Sequence, residues 1–105
     1  MTPIPGDVYL VDMGYEGKTR PVVIVSRRDD NAPRALSIVV PLTTQNRGSR
    51  YEVAMPRVPW LRRLSFANVQ AIIAYENHEL LEKRGRFDAS VMISIKEAIR
   101  WAMDL

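Results

Sequence analysis

Arg20-Pro21-Val22-Val23-Ile24-Val25-Ser26 is the stretch on which the fold turns. Four consecutive β-branched residues, opened by a proline and closed by a serine, make a strand. Working towards the N-terminus, a polar loop at 14–19 separates this run from Val8-Tyr9-Leu10-Val11-Asp12-Met13, a second strand introduced by Gly6-Asp7. Working towards the C-terminus, Leu36-Ser37-Ile38-Val39-Val40-Pro41-Leu42-Thr43 is a third strand, whose Pro41 predicts a strand end or an edge. Tyr51-Glu52-Val53-Ala54-Met55 alternates as a fourth, and Leu64 to Tyr75 is a fifth that bends or splits. Short strands joined by loops, with no helix between them, predict an antiparallel sheet or small barrel.

The period then changes. Asn77 to Lys83 has the pattern of a short helical turn, and Asp88 is an N-cap for a final helix from Ala89 towards Asp104. Val91, Ile95, Ala98, Ile99 and Ala102 form one apolar stripe of that helix, with Met92 and Met103 beside it and Lys96, Glu97 and Arg100 mostly opposite. The methionines are packing residues rather than ligands. The expected class is α+β, mostly β, over a single domain of residues 1–105.

Composition narrows the chemistry. The 105 residues are 47% hydrophobic and 26% charged, as in an ordinary globular domain. The absence of cysteine removes thiolate nucleophiles, disulfides and Cys-based zinc sites. It is in keeping with a reducing, cytoplasmic setting. No apolar run approaches the roughly 20 residues of a membrane span, and the N-terminus lacks the pattern of an export signal. The one histidine, His78, rules out paired-histidine catalysis; in Glu76-Asn77-His78-Glu79 it reads as a structural or solvated residue. The net charge of +3 is unevenly spread: −3 over residues 1–17, +7 over 18–63 and −1 over the remainder. An arginine-rich middle invites phosphate-bearing partners, though it also suits a solvated surface.

Three clusters could carry chemistry. Arg20 stands where a loop becomes a strand, a rigid platform for holding an anion with two parallel hydrogen bonds, or merely a solubilising surface residue. Thr43, Thr44 and Gln45 lead into a loop with Asn46, Arg47, Gly48, Ser49 and Arg50, suited to phosphate, sugar and base edges or simply to a hydrophilic hairpin. Tyr51, Trp60 and Phe66 offer stacking surfaces, although core or dimer packing explains each. Pro59-Trp60-Leu61-Arg62-Arg63 places an apolar anchor beside a basic pair and also fits a partner-binding loop.

In order and spacing these pieces resemble the MazF/PemK family of bacterial toxins. Gly6-Asp7-Val8-Tyr9-Leu10-Val11-Asp12 is similar to its opening segment, and Arg20-Pro21-Val22-Val23-Ile24-Val25-Ser26 to its R-P strand. Val40-Pro41-Leu42-Thr43-Thr44-Gln45 with Arg47-Gly48 is similar to its P-x-T segment, and Gly85-Arg86-Phe87 to the segment before its last helix. The resemblance implies an SH3-like small β-barrel with a C-terminal α-helix, forming a homodimer whose groove takes single-stranded RNA. It implies a ribonuclease cutting mRNA within short sequences, with Arg20 and Thr43 at the scissile phosphate. It further implies inhibition by a cognate antitoxin with an acidic C-terminal segment, and no cofactor or metal. Lys18, Thr44, Gln45, Arg47, Arg50, Asn68 and Gln70 are the expected RNA-binding residues. Strand alternation puts Asn68 and Gln70 on one side and Ser65 on the other.

Glu16, in the loop leading to Arg20, is the nearest carboxylate to serve as a base. Ala67-Asn68-Val69-Gln70-Ala71-Ile72 departs from the family's strand, lacking its aspartate and its basic residue. That departure keeps open a non-catalytic barrel that binds antitoxin or RNA. A gyrase poison on the same barrel is the remaining alternative, opposed by the R-P and P-x-T segments.

Overall fold

The computed structural model describes residues 2–14 and 18–105. Seven strands and one long helix follow in the order β1 (Asp7–Asp12), β2 (Thr19–Ile24), β3 (Leu36–Thr43), β4 (Glu52–Ala54), β5 (Phe66–Asn68), β6 (Ile73–Glu76), β7 (Glu82–Arg86) and α1 (Ala89–Ala102). Every strand pairing is antiparallel, in the order β4-β5-β3-β2-β1-β7, with β6 also on β3. The result is the expected mostly-β, barrel-like sheet with a C-terminal helix.

Strand β3 is the hub. Its first half, Leu36 to Val39, pairs with β6 and its end, Leu42 and Thr43, pairs with β5, while the other edge carries β2. Pro41 is therefore neither at a strand end nor on an edge strand, as the sequence had suggested. It falls in the gap between the β6 and β5 ladders, where a residue without an N–H is tolerated. The fifth apolar run does split, into β5, a 3-10 helix at Val69–Ala71 and β6.

Burial on both faces explains the unbroken apolar run in β2. Val8, Val23 and Val40, in register across β1, β2 and β3, join Leu42, Met55, Phe87, Met92 and Ile95 in a core beneath α1. The alternate residues Tyr9, Val11, Val22, Ile24 and Val39 form a second core, closed by Met13, Tyr75 and Leu80. Helix α1 starts where Asp88 accepts the Val91 N–H at 3.2 Å and the Ser90 hydroxyl at 2.6 Å, so the predicted cap is the observed one. Its buried side chains are Met92 and Ile95.

The stretch from Asn77 to Lys83 differs from expectation. Only Asn77–Glu79 forms a 3-10 turn, and the chain then extends as β7 against β1. A free β1 edge and the buried Asp7, whose carboxylate meets Lys83 Nζ at 3.2 Å, outweigh the weak strand propensity of this charged segment. The β1–β7 register slips between Val8 and Tyr9, leaving Arg84 as an extra, unpaired residue.

Candidate nucleic-acid interface

The β1–β2 register sets Val11 beside Arg20, and the β2–β3 register sets Val22 beside Pro41. The β2–β3 ladder ends at that pair, and two residues beyond it each strand carries one of Arg20 and Thr43. By alternation, Arg20 continues the row of Ile24 and Val22, and Thr43 continues the row of Val39 and Pro41. Two adjacent rows of mostly buried side chains thus end in a guanidinium and a hydroxyl. Both side chains line one surface hollow of about 430 Å³ with Met13, Thr44, Gln45 and Arg63.

Thr43 is held in place by its own loop. Its Oγ1 accepts the Gln45 N–H at 3.1 Å, which leaves the hydroxyl hydrogen available to a ligand. Among the described residues, no carboxylate pairs with Arg20, so its planar donor fork faces the hollow without an internal partner.

A second hollow, of about 460 Å³, meets the first at Thr43 and Gln45. Arg47, Ser49, Tyr51, Glu52, Asn68 and Gln70 complete it. Asn68 and Gln70 do share one side, though not by strand alternation: Gln70 lies in the 3-10 turn, and Asn68 Oδ1 accepts its backbone N–H at 3.1 Å. With its oxygen so engaged, Asn68 keeps its amide N–H groups as donors. Glu52 organises the facing loop by accepting from Ser49 N at 3.0 Å, from Arg47 N at 3.0 and 3.1 Å, and from the Ser49 hydroxyl at 3.0 Å. The Ser49 and Arg47 N–H groups, in that order, hold its carboxyl below the usual glutamate value.

A third hollow, of about 520 Å³, shares Arg20, Thr44 and Arg63 with the first and is walled by Trp60, Leu61, Arg62, Ser65 and Arg84. Ser65 lies here, apart from Asn68 and Gln70 as alternation had it, but it is buried and donates to the Arg63 carbonyl at 3.0 Å. The sequence drew attention to Arg62 and Arg63 only as a pair beside Trp60. Arg84 was not singled out, because the sequence pointed to a helical turn over Asn77 to Lys83 and to no strand at Glu82–Arg86.

Not every expected residue joins these hollows. Arg50 stacks over Trp101 of α1, 4.3 Å from the ring centroid, and lines none of them. Lys18 is exposed in the loop before β2, also outside their walls. Glu16 lies outside the described residues. His78 is exposed and paired with Glu76. Of the three aromatics, Tyr51 packs edge-on against Trp101 and borders the second hollow, Trp60 packs on Phe87 and walls the third, and Phe66 is half-buried in β5. A separate cleft of about 580 Å³ between β3, β6 and the end of α1 is lined mainly by Ile38, Ile72, Ile73, Ile99, Met103 and Leu105. It contains no acid, and its only polar side chains are Ser26, Lys96 and Arg100.

A family model described as a PemK-like, MazF-like toxin of type II toxin-antitoxin systems matches residues 4–103. The chain is similar to Endoribonuclease MazF6 of Mycobacterium tuberculosis, 27% identical over 111 residues that span 94% of this chain and 95% of that protein. Among solved structures it resembles an endoribonuclease in complex with its cognate antitoxin from a mycobacterial species. The TM-score is 0.85 with 31% identity, over 98% of this chain and 96% of that one. A chain of the MazE-MazF complex (Form-II) from Deinococcus radiodurans shares the fold at a TM-score of 0.83 and 16% identity, over 100% of this chain and 98% of that one.

Proposed function

Because the chain belongs to the PemK-like, MazF-like toxins of type II toxin-antitoxin systems, we propose that it is an endoribonuclease that cuts single-stranded mRNA at a phosphate held by Arg20 and Thr43. The observation that carries this reading is the meeting of those two side chains in one hollow at the ends of two mostly buried rows. Rigid backing fixes the donors before the substrate arrives, so their alignment costs nothing further as charge develops.

The ribose 2′-hydroxyl attacks the adjacent phosphorus, and the P–O5′ bond breaks. The products are a 2′,3′-cyclic phosphate and a 5′-hydroxyl, with the 2′-hydroxyl proton passing to a base and the departing O5′ gaining one. Arg20 neutralises the charge that builds on the non-bridging oxygens, and the Thr43 hydroxyl donates to one of them while its oxygen is held by Gln45 N–H. Neither is the base, since a guanidinium stays protonated and a threonine hydroxyl is not basic at neutral pH. Glu16 is the candidate by sequence position. No divalent metal enters this scheme.

Gln45, Asn68 and Gln70 give the second hollow neutral amides, each both donor and acceptor, beside a strand that lacks the family's aspartate and basic residue. Amides suit the edges of unstacked bases, so this hollow reads sequence beside the cut. A cognate antitoxin with an acidic segment competes for the same basic surface. A second copy of the chain covers the exposed apolar side chains of Ile38, Ile73, Met103 and Leu105.

The test is incubation of the purified protein with a long single-stranded RNA in excess EDTA, with cut ends mapped, beside Arg20→Ala. Discrete cuts with 5′-hydroxyl ends are expected, falling by roughly 10²–10³ in rate in the variant. Intact RNA from the folded protein would replace this reading with the non-catalytic binding barrel.

A further inference from the structure

We propose that the hollow between the 55–65 loop and the β1–β7 edge is a second RNA-backbone site, which grips a phosphodiester flanking the scissile one and packs its nucleotide against Trp60. The inference rests on the ribonuclease reading above and extends it to residues outside the Arg20–Thr43 pair.

Charge is the first observation. Among the described residues, Arg20, Arg62, Arg63 and Arg84 line this hollow and no carboxylate does. Four like charges gathered here, with Glu82 beside Arg84 their one paired carboxylate among the described residues, repel one another until an anion joins them. Arg84 has only a loose contact of 3.5 Å with the exposed Glu82, so its fork is readily given up to a ligand. Guanidinium favours phosphate oxygens through paired donors in a plane.

The wall is the second. Trp60 packs on Phe87 with ring centroids 5.0 Å apart, and its indole lies directly over Gly85, where any Cβ would run into the ring. The glycine is a seat that fixes the indole. The bulge in β7 sets Arg84, which lines the hollow, directly beside Gly85, which seats its Trp60 wall, an arrangement that regular alternation disfavours. A fixed aromatic wall beside guanidiniums is the equipment for a single-stranded nucleotide, base or ribose on the ring and phosphate on the arginines. An acidic peptide would use the arginines but has no need of the indole.

Continuity is the third. The hollow opens into the scissile one through Arg20, Thr44 and Arg63, on the side away from the amide-lined hollow that joins at Thr43 and Gln45. One strand of RNA lies along all three, with bases read on one side of the cut and the backbone gripped on the other.

The experiment compares wild type, Arg62→Gln/Arg84→Gln, and the charge-matched control Arg28→Gln/Lys96→Gln. All altered residues are exposed, and circular dichroism verifies folding. Binding of a short unstructured 2′-O-methyl RNA, whose blocked nucleophiles prevent cleavage, is measured against salt concentration. The first double variant is expected to bind about tenfold more weakly at low salt, and its log–log salt slope to fall by about 0.7 per lost phosphate contact. It should still cut unmodified RNA at the wild-type sequence, while the control keeps the wild-type slope. A first variant indistinguishable from the control, with wild type cutting and binding RNA normally, overturns this inference alone. So does unchanged RNA binding combined with weakened binding of an acidic antitoxin peptide. Wild type that neither binds nor cuts RNA overturns the ribonuclease reading together with it.

Discussion

Glu52 borders the amide-lined hollow, but its carboxylate oxygens face inward to the Ser49 and Arg47 N–H groups and the Ser49 hydroxyl. It therefore organises the loop rather than acting as the base for an incoming 2′-hydroxyl. These donors favour the ionised form and hold its carboxyl below the ordinary value, so the order it contributes is fully present above the unfolded glutamate range of about 4.3. That order is lost as pH falls through the depressed folded value. Amide resonances of Arg47 and Ser49 should titrate together with a midpoint below that of a free glutamate, and Glu52→Gln should abolish the transition. Around neutrality the loop should not respond to pH at all. The placement of Arg20 and Thr43 at strand ends was legible in the sequence because each boundary is marked by its own neighbours, Pro21 and Pro41-Leu42. The part played by Glu52 was not, since its role depends on a loop that folds back over five residues to meet it. The separate destinations of Arg47 and Arg50 were hidden for the same reason, because only the position of Trp101 draws Arg50 away.

Among the elements, α1 was legible from Asp88 and its apolar stripe, and β1, β2 and β3 from their β-branched runs. Strand β7 was not. Glu82-Lys83-Arg84-Gly85-Arg86 has neither alternation nor a β-branched residue, and it becomes a strand because a neighbouring edge, the Asp7 to Lys83 ion pair and the Trp60 cover all act on it. These are contacts across more than twenty residues of sequence, which no local pattern records. Gly85 is the test of this account. Gly85→Ala must displace the indole or shift β7, a steric cost of about 1–3 kcal/mol. A lower urea midpoint is expected, with altered Trp60 fluorescence. An unchanged midpoint and spectrum would mean that the indole is not seated on this strand.

At the scale of the whole molecule, the two cores share β1, β2 and β3, and Val22, Val23 and Ile24 are all wholly buried. The proposed site and the structural centre of the chain thus share one continuous strand, with Arg20 two residues from Val22. Truncating any of the three removes packing worth about 2–4 kcal/mol, against a total stability of about 5–15 kcal/mol for a domain. For a chain from a toxin family this has a genetic reading. When bacteria expressing it without an antidote are selected for survival, the recovered inactivating changes should fall on Val22 to Ile24 and their partners Val8, Val39 and Val40 as well as on Arg20 and Thr43. Deep sequencing of survivors would reveal this distribution. A harvest confined to Arg20 and Thr43 would mean that the fold tolerates far more damage than its shared cores imply. On the proposed site, the target for inactivating mutation is therefore broader than the chemistry, because the strand that would make the chain harmful is also the one that keeps it folded in the cell.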